Sequence, residues 1–387
     1  MCPRCHDVVP AGSFCGHCGA EHDRPAEGLL TGVRARVYAV APQEPVLLPM
    51  VTSTLFPHLP QAYRNPLRIG MFAMLAGVVA FSVLRMNGPL VVLSALGVPL
   101  LFVLYLWQSD LLRDLPRHAL IVASLLGAVL GVMWVVGTGG LVARSYGIPM
   151  AVGFALQNVV GIGLVISVGG AIVMILPAVL VRMLLSPWES LDGFVIGALG
   201  ALSFTGAATT ARLAPQFVSG LIEVVHPARL FIEAVLYGVA VPLTAAAVGG
   251  VLGIVLWFRP GGRAGRHLGR VRVLLLGFTV AALIIYSAIW FIDSTRLPQW
   301  PQLGMHILMT VIALLTARVC IQLALLHEQP DPYDGQPLLC VHCGHVVPDM
   351  PFCPACGAAA RASSRTSRRK RHESPPTRRD STNGVDV

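Results

Sequence analysis

The sequence predicts an all-α polytopic membrane protein of about eight transmembrane helices, with a small four-cysteine module at each end. Three observations predict it. Of 387 residues, 55% are hydrophobic and 12% charged, and the mean hydropathy is +0.70, which excludes an ordinary soluble globular protein. The apolar residues form a train of runs across 67–327, between polar ends. Eight of the nine cysteines fall into two identical frames, one at each end.

The first element, 1–22, holds Cys2-Pro-Arg-Cys5 and, after nine intervening residues, Cys15-Gly-His-Cys18. Each C-x2-C turn presents two thiolates to one metal, and two turns joined by a short hairpin complete a tetrahedral site suited to zinc. Four protein ligands leave no open position for water, so the ion is expected to be structural and to supply the folding free energy of so small a module. Met1-Cys2-Pro3-Arg4 precedes no apolar run with a cleavage site, so no signal peptide is expected and the first membrane helix targets the chain. Residues 23–66, rich in proline, read as a linker or interfacial segment.

A helix crossing about 30 Å of hydrocarbon takes about 20 apolar residues. The runs 67–84, 88–108, 118–138, 229–257, 271–292 and 303–326 qualify, and two more crossings come from 150–185 and 192–214. Gly161, Gly163, Gly169, Gly170 and Pro177 interrupt 148–185, which fits one long tilted helix or a re-entrant segment plus a helix. Gly127 and Gly131, Gly193 and Gly197, and Gly249 and Gly253 are small residues four apart, a spacing that lets helices approach closely in lipid. Arg259, Arg263, Arg266 and Arg270 crowd the connector after the sixth helix, whereas those after the first, third and seventh hold about one Arg each. The positive-inside rule then places that connector, and with eight crossings both termini, on the cytoplasmic side of the cell membrane. Reduced cytosolic thiols agree with this orientation.

Ionisable residues inside a bilayer are functional suspects. Glu233, four residues after Arg229, suggests a local ion pair, and Arg318, two turns from the end of the last helix, suggests snorkelling to headgroups. His306 has no second ligand at a recognisable spacing, and Cys320 suits packing. Gln157, Asn158, Ser203, Thr205, Thr209 and Thr210 are candidates for interhelical hydrogen bonds or a cavity lining.

After a linker at 328–339, the module recurs at 340–358 as Cys340-Val-His-Cys343 and Cys353-Pro-Ala-Cys356. Val8-Val9-Pro10 and Phe14 lie 338 residues before Val346-Val347-Pro348 and Phe352, so a whole module is repeated. Two Zn2+ ions are therefore expected. His6, His17, His22, His342 and His345 lie close to the ligands, but each cysteine set is complete without them. Two four-thiolate zinc sites would lower the formal charge of +9 to about +5. The basic tail, 359–387, has almost nothing apolar to bury and is expected to be disordered. Its Arg361–Arg379 run, beside the lipid bilayer, suits anionic headgroups, and the absence of aromatic residues there argues against nucleic acid.

The modules, with C-P-x-C and F-C-x-x-C-G turns, resemble the short zinc ribbons fused to many bacterial membrane proteins, where a ribbon is an interaction or regulatory appendage. Leu191-Asp192-Gly193-Phe194-Val195-Ile196-Gly197-Ala198, continuing to Ser203-Phe204, resembles the segment after the first catalytic motif of PrsW-type intramembrane metalloproteases. In that family a Glu-Glu-x-x-Lys motif precedes this run, a Phe-x-x-x-Glu motif closes it, and later histidines complete a metal site. Here Ala208 stands where the second motif has glutamate, no glutamate occurs between Glu44 and Glu189, and Ser287 leads Ser287-Ala-Ile-Trp290 where the family has a histidine. The resemblance implies a pseudoenzyme: a non-catalytic scaffold or regulator presenting two cytoplasmic ribbons to a protein partner. Its alternatives are a protease with an unrecognised site and a membrane transporter.

Overall fold

The computed structural model describes residues 1–22, 37–59, 64–146, 156–184, 189–218, 227–260, 268–294, 297–329 and 337–373. A short α1 (Val51–Leu55) leads into α2 (Arg64–Val83), α3 (Asn87–Gln108), the single turn α4 (Leu111–Asp114), α5 (Arg117–Tyr146), α6 (Leu156–Leu184) and α7 (Ser190–Val218). Then follow α8 (Pro227–Val235), a π-helical turn (Leu236–Ala240), α9 (Val241–Trp257), α10 (Leu268–Ser294) and α11 (Gln299–His327). Among the described residues, eight spans are long and apolar enough to cross a membrane, with α8, the π turn and α9 forming one of them. The chain is a multi-pass helical membrane protein. The stretch 148–185, expected as one long tilted helix or a re-entrant segment plus a helix, is one continuous helix from Leu156 with Pro177 inside it, while 147–155 lie outside the described residues.

Burial sorts the spans. Within the protein, 78% of the α7 span and 83% of the α8–α9 span are buried, against 22% of α2, 28% of α5 and 33% of α10, so α7 and α9 form the centre and the others turn a face to lipid. Glycine permits this centre. A Cβ on Gly253 would stand 1.9 Å from the Gly193 carbonyl oxygen, and one on Gly197 would stand 2.1 Å from that of Gly249. A Cβ on Gly127 or Gly131 of α5 would likewise stand 2.3 Å from the carbonyl oxygen of Gly200 or Phe204 on α7. The three glycine pairs are thus backbone contact points.

Residues 37–59 are no loose linker. Tyr38, Ala39, Val40 and Ala41 are buried in the main core, and the Ala39 N–H donates to the α11 side chain Gln322 (2.8 Å). The Glu44 carboxylate accepts from Arg64 (3.2 Å), Arg318 (3.1 Å) and the Ser53 hydroxyl. Arg318 has no exposed surface. It also donates to the Pro45 carbonyl (3.0 Å) and Ser53 (2.6 Å), and lies 3.8 Å over the Tyr38 ring. The snorkelling expectation is therefore corrected: the guanidinium finds its carboxylate inside the protein, so it does not reach headgroups.

The tail is corrected as well. Its first part continues into α12 (Arg365–Glu373), started by Ser364, whose hydroxyl accepts the Ser367 N–H (3.2 Å). Composition predicted disorder because the segment has no apolar face; instead it meets carboxylates at the ends of the spanning helices. Arg361 pairs with Glu328 (2.9 Å), Arg368 with Glu189 (2.5 Å), and Arg365 with Asp192. The Thr366 N–H donates to Asp114 (3.0 Å). Residues 374–387, with Arg378 and Arg379, lie outside the described residues, as do Arg263 and Arg266.

Candidate metal centres

The two cysteine modules are built from four copies of one turn. In each, the first cysteine N–H donates to the carbonyl five residues on, and the N–H four residues on returns to that cysteine's carbonyl. The pairs are Cys2 with Asp7 and His6, Cys15 with Ala20 and Gly19, Cys340 with His345 and Gly344, and Cys353 with Ala358 and Gly357, at 2.7–3.0 Å. The chain can close this turn only by a left-handed residue after the second cysteine. Gly19, Gly344 and Gly357 have φ of 68°, 72° and 74°, and His6 has 59°, so glycine avoids at three turns the steric cost that His6 carries at the fourth. This gives His6 a backbone role. In the second module β1 (Pro337–Leu339) pairs antiparallel with β2 (Val346–Pro348), Leu338 facing Val347, so the hairpin takes in residues ahead of Cys340.

These turns bring Cys2, Cys5, Cys15 and Cys18 together, and likewise Cys340, Cys343, Cys353 and Cys356, with all four sulfurs of each set within 4.8 Å of one another. The Cys2–Cys18, Cys340–Cys356 and Cys343–Cys353 sulfurs are 3.8 Å apart, and Cys5–Cys15 3.7 Å. A tetrahedral metal–sulfur bond of about 2.3 Å requires an edge of about 3.8 Å. Each set fits one metal ion.

Against the upward push of burial, backbone hydrogen bonds lower the Cys2 thiol to about 7, and hydrogen bonds with Cys353 and Cys356 hold Cys340 well below the usual thiol range, while other thiols of each quartet stay protonated. Burial pushes the Cys5 and Cys18 thiols up, Cys5 to about 11. Hydrogen bonding with Cys340 pushes Cys353 and Cys356 up, Cys353 to about 12. A cation that gathers four thiolates must therefore expel protons, and its affinity rises with pH. Acidification from about pH 7 to about pH 5 is expected to release both ions, read with a chromophoric chelator on the full chain in detergent; retention of both ions at the lower pH would contradict thiolate ligation.

The two modules are also packed on each other, and the packing is reciprocal. The Phe14 N–H donates to the Pro354 carbonyl (3.0 Å), and Phe352, the repeat partner of Phe14, donates to the Gly16 carbonyl (3.0 Å). The Phe14 ring covers Gly357 and the Phe352 ring covers Gly19; Gly12 abuts Pro354 and Gly16 abuts Met350. Each contact maps onto another when the modules exchange, the pattern of an isologous dimer within one chain. Consequently both modules lie on one side of the helix bundle. The pair is tied to the bundle by the Ala359 N–H on the Ala39 carbonyl (2.6 Å) and by α12. Burial pushes the Glu328 carboxyl up while Arg361 opposes it, so the bundle presents its own charges to the segment leaving the second centre.

No family profile, curated protein or solved structure matches the chain.

At the opposite end of the bundle, His306 is fully buried and its Nε2 bonds Asp293 (2.9 Å), which also accepts from Gln302 (2.9 Å). The sequence offered His306 no partner because Asp293 lies on another helix. Above it a cavity of about 20 Å³ is lined by Thr205, Ala208, Thr209, Arg212, Tyr237 and Trp290, room for about one water. Arg212 lies 4.8 Å over the Trp290 ring and 5.3 Å over Tyr237, which sits in the π turn. Thr205 and Thr209 thus line a cavity, while Thr210 bonds back to Gly206 (2.9 Å) in its own helix. Ser203 meets the α5 backbone contact at Gly127; the side chains of Gln157 and Asn158 lie outside the described residues. Glu233 pairs with Arg229 (3.0 Å) at the surface, and Cys320 is buried in the core.

Proposed function

We propose that the chain is a non-catalytic membrane scaffold or regulator of the bacterial plasma membrane, whose two centres each hold a structural Zn2+ and together present one cytoplasmic surface to a protein partner. The observation that carries this reading is the closed four-sulfur geometry of both centres. Four ligands at tetrahedral spacing leave no site for substrate or activated water, and thiolates in a reducing cytoplasm select zinc over oxidised alternatives. The exposed residues Arg369 and Lys370 of α12 are the cations offered to anionic headgroups.

A degenerate PrsW-like scaffold is our reading of the membrane domain. Ala208 brings no ligand to the cavity wall, and the Asp293–His306 pair provides two ligands where an open catalytic zinc takes three. Metal analysis of the purified full chain tests both statements. Two zinc ions per chain are expected, falling to none when all eight cysteines become serine; iron in place of zinc would overturn the assignment of the ion, and a reproducible third zinc would favour a protease site. Proteins that co-purify with the intact chain are expected to be lost when Cys2, Cys5, Cys340 and Cys343 are replaced by serine, and their retention would sink the interaction role.

A further inference from the structure

The two modules meet through Phe14 and Phe352 and the glycines those rings cover, and the second is also anchored to the bundle through Ala39, Glu328, Glu189 and Asp192. Each half of the shared interface is shaped by a metal turn. Gly19 and Gly357, which receive the opposing phenyl rings, are the left-handed residues that close their own cysteine turns. Gly16 and Pro354, whose carbonyls accept the two cross-module hydrogen bonds, each follow directly a metal-facing cysteine, Cys15 and Cys353. A module of this size cannot bury a core of its own, so without its ion it loses the turns that make the interface.

We infer that the two centres load as a coupled pair: an ion in either ribbon raises the affinity of the other, and the doubly loaded pair acts as a metal-dependent clasp that holds the chain's two ends together over the helix bundle. The inference deepens the proposed function, since it assigns the ribbons a regulatory input, metal supply, and rests on their binding metal. Coupling between two binding sites is reciprocal. The factor by which the second ion helps the first must equal the factor by which the first helps the second.

The physical size of the coupling comes from two backbone hydrogen bonds and two phenyl rings over glycine, all withdrawn together when one ribbon unfolds. Tenfold is a conservative expectation, about 1.4 kcal/mol. Gly12 offers a way to break the interface alone. It has no positive φ, yet a Cβ there would stand 2.5 Å from the Pro354 carbonyl oxygen, so Gly12→Val pushes the modules apart while leaving all eight cysteines in place.

The test uses the full chain in detergent micelles with Zn2+ by competition against a chromophoric chelator, and with Co2+ by its thiolate absorption. Replacing Cys353 and Cys356 by serine is expected to weaken the first site at least tenfold. Replacing Cys15 and Cys18 by serine is expected to weaken the second site by the same factor. Gly12→Val is expected to weaken the first site comparably with both cysteine sets intact, and to add nothing when the second site is already removed. A first-site affinity that stays within twofold after loss of the second site overturns the coupling. The cysteine arms decide the matter even if Gly12→Val misfolds its own ribbon, because they leave the interface residues unchanged. Absence of any cobalt–thiolate absorption in the unmodified chain would instead overturn the metal centres themselves, a separate outcome from two sites that bind independently.

Discussion

Glu44→Ala is expected to abolish accumulation of folded protein, or to lower its stability by about 3–5 kcal/mol, the usual result of removing one partner from a buried ion pair. Among the described residues, Glu44 is the carboxylate that pairs with both Arg64 and Arg318, whose side chains are 2% and 0% exposed. Without it two guanidinium groups keep their burial and lose their counter-charge, and the Ser53 hydroxyl loses its acceptor. Glu44→Gln retains hydrogen-bonding atoms without the charge and should fall between wild type and alanine. Thermal unfolding in detergent checks the order. A Glu44→Ala protein that melts within about 1 kcal/mol of wild type would show that the arginines find other partners. Glu233→Ala makes the control: its pair with Arg229 is 39% and 57% exposed, and such pairs contribute about 0–1 kcal/mol.

Gly253→Val should be nearly as damaging. Its new Cβ would lie 1.9 Å from the Gly193 carbonyl oxygen and 2.5 Å from the adjoining carbon, so the obstacle is backbone and no rotamer change relieves it. The central helices α7 and α9 would have to separate, opening contacts along the most buried pair in the bundle. Overpacking of a core costs about 1–3 kcal/mol and sometimes more; an obstacle made of the α7 backbone at Gly193 and Phe194 places this case at the upper end. Gly277→Ala and Gly304→Ala, where nothing lies within 4 Å of the added carbon, should be neutral or gain up to about 1 kcal/mol of helix propensity. If Gly253→Val and Gly277→Ala melt alike, close glycine contact is not what holds the centre.

Much of the metal chemistry was legible in the sequence, because it is local. Both C-x2-C turns of a module lie within about 20 residues, and ligand type, spacing and the following glycine are written side by side. His6 was the exception: its backbone role shows only when its positive φ is set beside the three glycines. The spans were legible for a similar reason, since the bilayer selects them by length and hydropathy alone. The tail misled because charge without apolar residues signals disorder, and the carboxylates that order it lie 173 and 179 residues away at Asp192 and Glu189.

By itself the sequence determined eight helices, two cysteine quartets, their common origin as one repeated module, and the glycines available for close contact. These properties depend on spacing along the chain. Tertiary structure alone decided which glycines meet, that Glu44 neutralises Arg64 and Arg318, that Asp293 partners His306, and that the two ribbons clasp each other in reciprocal register. Each of those joins groups far apart in the chain, and such pairings are set by how the bundle folds and not by any local pattern.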